Sequence, residues 1–444
     1  MKHQLTRRLL QLFAVFLIIT AIIIQPFSAQ AAEAFDLEAE SAILVDAETG
    51  KVLYAKNADM ALPPASMTKM MTEYLVWEAI ESGDIDWDTT TQISDYAYEI
   101  SADETFSGIG LTQSKDYTVK ELYEAMAVFS DNATTIALAE LIAGSEGEFV
   151  KMMNDKAEEM GLPDYKFVNA SGLDNESLGD NYPEGTDPDA SNMLSARSAA
   201  LLAYNLVNDF PDALDVSSQT EVEFEDYTIE NLNWMLPHDS VNFKQFYYEG
   251  MDGLKTGYTD SAGYCFTGTA EQNGKRLISV VMKTESESER FEETAKLMDY
   301  GFNNFETVEL FPKGHQTDDK KTLPVAKGKE DEVAIETDEA ISVPIKKGNE
   351  DKYTLEYTFD EDVLNEDGEL TAPIEKGDKV GTAKLVFDGE DYGYISEDMF
   401  DHTVDIVAAD TVEKNNWFML TLGAIGDFFS NMFSWIGDTV KGWF

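Results

Sequence analysis

The 444-residue chain contains one cysteine, Cys265, four histidines, and only 32 Lys and Arg against 85 Asp and Glu. A single thiol excludes an internal disulfide even in a compartment that would permit one. Stability must therefore come from burial, and the length is enough for two or more cored domains. Cys265 lies in an apolar run and reads as a buried structural thiol. The histidines are scattered and form no cluster with metal-ligand spacing, so neither a metal nor a cofactor is expected. The net charge of −53 repels nucleic acid and other polyanions, which excludes them as partners. So large an acidic excess, spread along the whole chain, suits saline or alkaline surroundings whose counter-ions screen the self-repulsion.

Long apolar runs are also scarce. Leu9 to Ile24 is short for a membrane span, follows Lys2, Arg7 and Arg8, and leads to Ala29-Gln30-Ala31, a small-x-small cleavage pattern. Residues 1–31 thus read as an export signal, and the mature chain is expected to work outside the cytoplasmic membrane. At the other end, Trp417 to Phe444 carries Asp427, Asn431, Ser434, Asp438 and Lys441 at helical spacing amid Trp, Phe, Met, Leu and Ile. A span would bury two aspartates in hydrocarbon at about 2.5–3.5 kcal/mol each. A helix lying in the interface avoids that cost, so residues 414–444 read as an amphipathic anchor on the membrane surface. The alternative is a helix docked on the preceding domain.

Between these ends, residues 35–307 alternate strand-like and helix-like stretches. Ser41 to Val45 and Val52 to Ala55 flank a polar turn and read as a hairpin. Pro63-Pro64-Ala65 breaks the chain before a helix predicted from Ser66 to Ile80, with Met67, Met70, Met71, Tyr74 and Leu75 as its apolar stripe and Gly83 as its stop. Helices are predicted near Val119 to Phe129 and Ala133 to Ile142. Tyr264 to Ala270 and Arg276 to Lys283 form a strand pair around Asn273-Gly274, and Glu292 to Phe302 returns to helix. Residues 312–410 carry short alternating runs divided by Gly and acidic turns, which predicts a separate small all-β module.

Three short motifs carry the chemistry: Ser66-Met67-Thr68-Lys69, Ser130-Asp131-Asn132 and Lys255-Thr256-Gly257. Each is weak alone, and a second Ser-x-Asn at Ser240-Val241-Asn242 shows the risk of chance matches. Their joint order is far more specific. Ser66 and Lys69, three apart, share a helix face, and unpaired N–H groups of the first turn favour an anion developing at Ser66. A serine hydroxyl needs a base. With no histidine near, Lys69 is the candidate, provided that like charge on Lys255 lowers its pKa. Ser130 can pass a proton to a leaving group and Asn132 can donate to a substrate amide, while all three residues of that motif are also good helix caps. Lys255 and Thr256 can bind a carboxylate, and Gly257 would let a substrate backbone approach the strand.

With these motifs the chain resembles the low-molecular-weight penicillin-binding proteins, serine-type D-alanyl-D-alanine carboxypeptidases of bacterial cell-wall metabolism. Class A β-lactamases share the motif set. The resemblance implies an α/β (α+β) transpeptidase-like catalytic domain, a β-rich C-terminal domain and an amphipathic anchor. It implies that Ser66 is acylated by a peptidoglycan pentapeptide ending in D-Ala-D-Ala, or by β-lactams, at the outer face of the cytoplasmic membrane. It further implies an oxyanion hole of the Ser66 and Thr259 N–H groups, a terminal carboxylate held by Arg290, and a site edge at Tyr258, where relatives vary. Asn169-Ala170-Ser171-Gly172-Leu173-Asp174 also resembles a family segment. The deacylating Glu-x-x-Leu-Asn element of a β-lactamase occurs here only at Glu361 to Asn365, after Lys255, so its order argues against that alternative. A non-turnover penicillin sensor or wall-binding scaffold remains the other reading.

Overall fold

The computed structural model describes residues 35–316, 320–396, 399 and 403–416. Residues 1–31, read as an export signal, and the segment from Trp417 onward, read as an anchor, lie outside the described residues.

The first domain is built on a five-stranded antiparallel sheet of β1 (Ser41–Asp46), β2 (Val52–Lys56), β3 (Met251–Thr259), β4 (Gly263–Gln272) and β5 (Lys275–Thr284), in the order β2-β1-β5-β4-β3. Both hairpins foreseen in the sequence form. Asn273 and Gly274 take φ values of 54° and 76°, the left-handed pair that a tight hairpin turn between right-twisted strands requires. The spatial order could not be read from the hairpins. β1 pairs with β5, Ser41 opposite Met282 and Asp46 opposite Leu277, and all six β1 residues are buried.

Helices cover the sheet. The nucleophile turn Ala65–Thr68 is 3-10 and runs straight into α1 (Lys69–Glu81). The apolar stripe predicted for α1 is too narrow, since Met70, Met71, Thr72, Glu73, Leu75, Val76 and Ala79 are all buried. A helix covered nearly all round is central, not a surface helix. Around it stand α2 (Val119–Phe129), α3 (Asn132–Ala143), α4 (Glu146–Glu159) and α5 (Ala196–Asp209). Thr118 and Glu121 close a capping box on α2, and Gly144 ends α3 at φ 80°. The last helix, α6 (Glu287–Asn304), packs on β4 and β5. It starts earlier than the sequence suggested, because Ser286 Oγ accepts the Glu289 N–H at 3.2 Å and caps a turn that otherwise looks like an acidic loop.

The β-rich C-terminal part begins directly at the end of α6. β6 (Phe305–Phe311) crosses the expected 307/312 boundary and pairs with β9 (Ile341–Lys346). A second, six-stranded sheet is formed by β7 (Thr322–Ala326), β8 (Glu332–Thr337), β10 (Tyr353–Phe359), β11 (Leu370–Thr371), β12 (Lys379–Phe387) and β13 (Thr403–Ala408). It has its own core around Val333, Ile335, Val380, Ala383, Ile406 and Ala408. Lys414 bridges to Gly328, so this module runs past residue 410 and into the first residues assigned to the anchor.

Candidate active site

The three motifs, far apart in sequence, meet where α1, the α2–α3 junction and β3 converge. Ser66 is partly exposed, whereas Lys69, Ser130, Asn132, Lys255 and Thr256 are all buried. The turn that presents Ser66 is held by close backbone contacts. Ala65 sits in the left-handed region at φ 49°, a conformation costing an alanine about 1–2 kcal/mol. A Cβ at Gly172 would meet the Ala65 carbonyl oxygen at 1.9 Å, and one at Gly257 would meet the Pro64 carbonyl oxygen at 2.5 Å. The missing side chain of Gly257 therefore makes room for the turn that carries Ser66.

Lys69 Nζ has three neighbours: Ser66 Oγ at 2.9 Å, Asn132 Oδ1 at 2.8 Å and the Ser171 carbonyl at 2.7 Å. Two of these only accept hydrogen bonds. The amide orientation of Asn132 is fixed from its other end, since Nδ2 donates to the Ser107 carbonyl at 3.1 Å. A neutral amine has two N–H bonds and one lone pair. Its hydrogens go to Asn132 and Ser171, which leaves the lone pair for the Ser66 hydroxyl. Lys69 is held well below the ordinary lysine range, first by burial and only second by the charge of Lys255. The sequence had named the second cause alone.

In the second motif, capping and chemistry are divided among neighbours. Asp131 caps α3, its Oδ1 accepting from Thr134 N at 2.7 Å, and its Oδ2 accepts from Ile109 N at 2.7 Å. Burial raises its pKa against those bonds. Ser130 ends α2 at φ 66°, and its buried Oγ has no hydrogen-bond partner, a cost tolerated where a ligand or substrate completes the site. Asn132, expected to donate to a substrate, gives one of its two Nδ2 hydrogens to the Ser107 carbonyl.

On β3, burial lowers the Lys255 ammonium to about 7, with the Glu73 carboxylate opposing. Its Nζ reaches the Thr256 carbonyl at 3.3 Å. Tyr258 is half exposed and stacks on Tyr264 at 4.3 Å. The Thr259 hydroxyl accepts from Ala262 N at 3.1 Å in the turn after the strand. Arg290, only 3% exposed, donates to the Gly257 carbonyl at 3.3 Å and pairs with Glu287 at 3.0 Å. It thus holds the β3 backbone at Gly257 from α6, while its buried Nε has no hydrogen-bond partner. Burial lowers it to about 10.

Sequence reasoning missed the Ser171 carbonyl, which carries no side-chain signal, and two buried acids. Glu146 Oε1 accepts from Ala170 N at 2.9 Å and so anchors the loop that offers Ser171. Glu73 lies one helical turn beyond Lys69, a spacing that could have flagged it. Among the described residues no acid, histidine and cysteine cluster suits a metal, and no helix is long and apolar enough to cross a membrane. Cys265 is buried, its thiol pushed up to about 11 by burial.

A family profile described as D-alanyl-D-alanine carboxypeptidase matches residues 27–286, and one for the C-terminal domain of penicillin-binding protein 5 matches residues 305–414. The D-alanyl-D-alanine carboxypeptidase DacF of Bacillus subtilis (strain 168) is 34% identical over 359 residues, 80% of this chain and 82% of the relative. A peptidoglycan synthesis regulatory factor (PBP3) from Streptococcus pneumoniae superposes with a TM-score of 0.66 at 37% identity, covering 85% of this chain and all of that one. Penicillin-binding protein D2 from Listeria monocytogenes, in its cefotaxime-bound form, gives a TM-score of 0.51 at 34% identity over 60% of this chain and 98% of its own.

Proposed function

The chain belongs to the D-alanyl-D-alanine carboxypeptidase family, and from that premise we propose how its own residues perform the serine-type reaction on peptidoglycan stem peptides. Lys69, neutral in its buried pocket, takes the Ser66 proton as Oγ attacks the carbonyl of the penultimate D-alanine. The tetrahedral oxyanion sits against the Ser66 and Thr259 N–H groups. Ser130 hands its proton to the departing D-alanine nitrogen and is reprotonated by Lys69, as the C–N bond breaks and the acyl–Ser66 ester forms. Water then attacks the ester, its proton passing through Lys69 to the Ser66 oxygen, which releases the shortened peptide and restores the hydroxyl. Lys255 and Thr256 bind the terminal carboxylate, with Arg290 adding positive field through β3. Tyr258 borders the entrance. A β-lactam acylates Ser66 by the same attack.

The observation that supports this most is the set of partners around Lys69 Nζ, two fixed acceptors and one hydroxyl. It orients a lone pair at a serine without any histidine. The test is D-alanine release from a Lys-D-Ala-D-Ala peptide together with covalent penicillin labelling. Both are expected in the wild type and both lost in Ser66→Ala. Labelling that survives in that variant would refute the assignment.

We further propose export, with residues 417–444 attaching the enzyme to the outer face of the cytoplasmic membrane. The small-x-small motif and the polar stripe from Asp427 to Lys441 support this. Deleting 417–444 should move the protein to the soluble fraction with activity kept. Membrane retention after the deletion would overturn it.

A further inference from the structure

The Ser171 carbonyl belongs to the backbone, so its aim at Lys69 Nζ is set by whatever holds its peptide unit. That unit also contains the Gly172 N–H. The peptide is trans, so its carbonyl and its N–H point in opposite directions and fixing one aims the other. Gly172 N donates to Asn169 Oδ1 at 2.7 Å, while Ser171 O accepts from Lys69 Nζ at 2.7 Å. Asn169 is fully buried. Its Nδ2 is fixed in turn, donating to the Leu173 carbonyl at 2.6 Å and to Asn175 Oδ1 at 3.0 Å.

Behind Asn169 lies Asn192, only 2% exposed, just before α5. Its Oδ1 accepts from Val168 N at 2.5 Å and from Asn169 N at 3.2 Å. A backbone N–H can only donate, so this amide stands one way round. Nδ2 then faces three acceptors: Asn169 O at 3.2 Å, Asn169 Oδ1 at 3.1 Å and Thr68 Oγ1 at 3.2 Å. Thr68 directly precedes Lys69 in the nucleophile motif. The stretch after Asn192 is also tied to the approach to Ser66, because Leu62 and Leu194 exchange two backbone hydrogen bonds of 2.9 Å. An unbroken series of hydrogen bonds thus runs from Thr68 through Asn192 and Asn169 to the Ser171–Gly172 peptide and back to Lys69. It starts and ends on adjacent residues.

We propose that Asn192 is a positioning residue for acyl transfer: through Asn169 it keeps the Ser171 carbonyl in register with the nucleophile turn, and so aims the Lys69 lone pair at Ser66. This role presupposes those assigned to Ser66 and Lys69. A neutral amine is oriented only as far as its N–H bonds meet fixed acceptors. Held by Asn132 alone, the Lys69 amine could turn about that one bond and carry its lone pair away from Ser66 Oγ. The Ser171 carbonyl removes this freedom, provided that its peptide unit stays where Asn169 and Asn192 hold it. Thr72 also joins α1 to the loop, its Oγ1 donating to the Ala170 carbonyl at 2.9 Å, but it pins the preceding peptide unit.

The experiment measures kcat and KM for D-alanine release from a Lys-D-Ala-D-Ala peptide, together with Tm, in full-length enzyme. Asn192→Ala should lower kcat about 10²-fold, the cost of a misplacement of about 1 Å at a reacting group. Its KM should hold, because the carboxylate-binding residues on β3 are untouched. Thr68→Val removes the acceptor at nearly constant shape and should lower kcat about tenfold, the worth of one buried hydrogen bond. Thr68→Ser keeps the hydroxyl and should keep kcat. Added to Asn192→Ala, Thr68→Val should cost nothing more, since both break the same series. Thr72→Val is the structural control and should lose Tm as Thr68→Val does while keeping kcat. The Thr68 and Thr72 variants carry the test if Asn192→Ala fails to fold. The proposal is overturned if Thr68→Val is as active as Thr68→Ser, if the losses multiply in the double variant, if the Asn192→Ala loss lies in KM, or if Thr72→Val loses as much kcat as Thr68→Val. Wild-type enzyme that releases no D-alanine would instead overturn the functional reading beneath it.

Discussion

Replacing Gly172 by alanine isolates the backbone contact that aims Ser66. Gly172 sits at φ 89°, and an added Cβ would lie 1.9 Å from the Ala65 carbonyl oxygen and 3.0 Å from Ser66 N. Ordinary contact needs roughly 3.5 Å, so the two segments must part by about 1.5 Å. The nucleophile turn lies between the two glycines, already pressed against β3 where Gly257 meets Pro64, so an added Cβ strains it whichever segment gives. A displacement of about 1 Å at a reacting group costs on the order of 10²-fold in rate. The left-handed backbone adds about 1–2 kcal/mol of strain for any L side chain. Gly161 supplies the control, because it also has positive φ, at 69°, but no atom within 4 Å of an added Cβ. Gly161→Ala should lose about 1–2 kcal/mol, a few degrees of Tm in a domain of this size, with acylation unchanged. Gly172→Ala should show that loss or more, and acylation by a fluorescent penicillin should fall about 10²-fold. If Gly172→Ala acylates as fast as Gly161→Ala, the nucleophile turn is not held by this contact and the argument fails.

Three further outcomes follow from buried groups and charge. Ser130→Ala removes a hydroxyl without a partner, so Tm should hold or rise while acylation drops about 10²–10⁴-fold; a marked loss of stability would show that the hydroxyl is bonded after all. Glu146 is raised to about 7 by burial, above its unfolded range, so the folded state holds its proton more tightly and wild-type stability should fall as pH rises from about 4.5 through 7. Glu146→Gln can keep the Ala170 N–H bond and should gain stability over wild type at alkaline pH, by on the order of 3 kcal/mol relative to pH 4, in denaturant melts; a pH-independent difference would contradict this. With a net charge of −53, salt at about 1 M should raise Tm by screening self-repulsion, and a collapse of activity under that salt would count against the saline reading of the surface.

Much of the site could be read from the sequence because its side chains declare themselves. Ser66, Lys69, Ser130, Asn132, Lys255 and Thr256 were all named, and the structure brings them together. The helix α2 and the Asn273-Gly274 hairpin were legible for a related reason, since local capping and turn chemistry act over a few residues. What stayed hidden depends on distance or on backbone. The pairing of β1 with β5 spans most of the first domain, and no periodicity encodes it. Ser171 acts through its carbonyl, which any residue would supply. That Pro64 folds against Gly257 is likewise invisible in the sequence. Glu73 passed unnoticed because burial leaves no mark in the sequence, and the hold of Arg290 on the Gly257 carbonyl was hidden for the same reason.

The atom that a β-lactam acylates identifies the nucleophile, and peptide mass spectrometry of the penicillin-treated enzyme reads it directly. A single adduct on the peptide carrying Ser66, absent from Lys69→Met enzyme treated alike, is the predicted result. An adduct on any other side chain, or one on Ser66 that forms equally fast without Lys69, would contradict it.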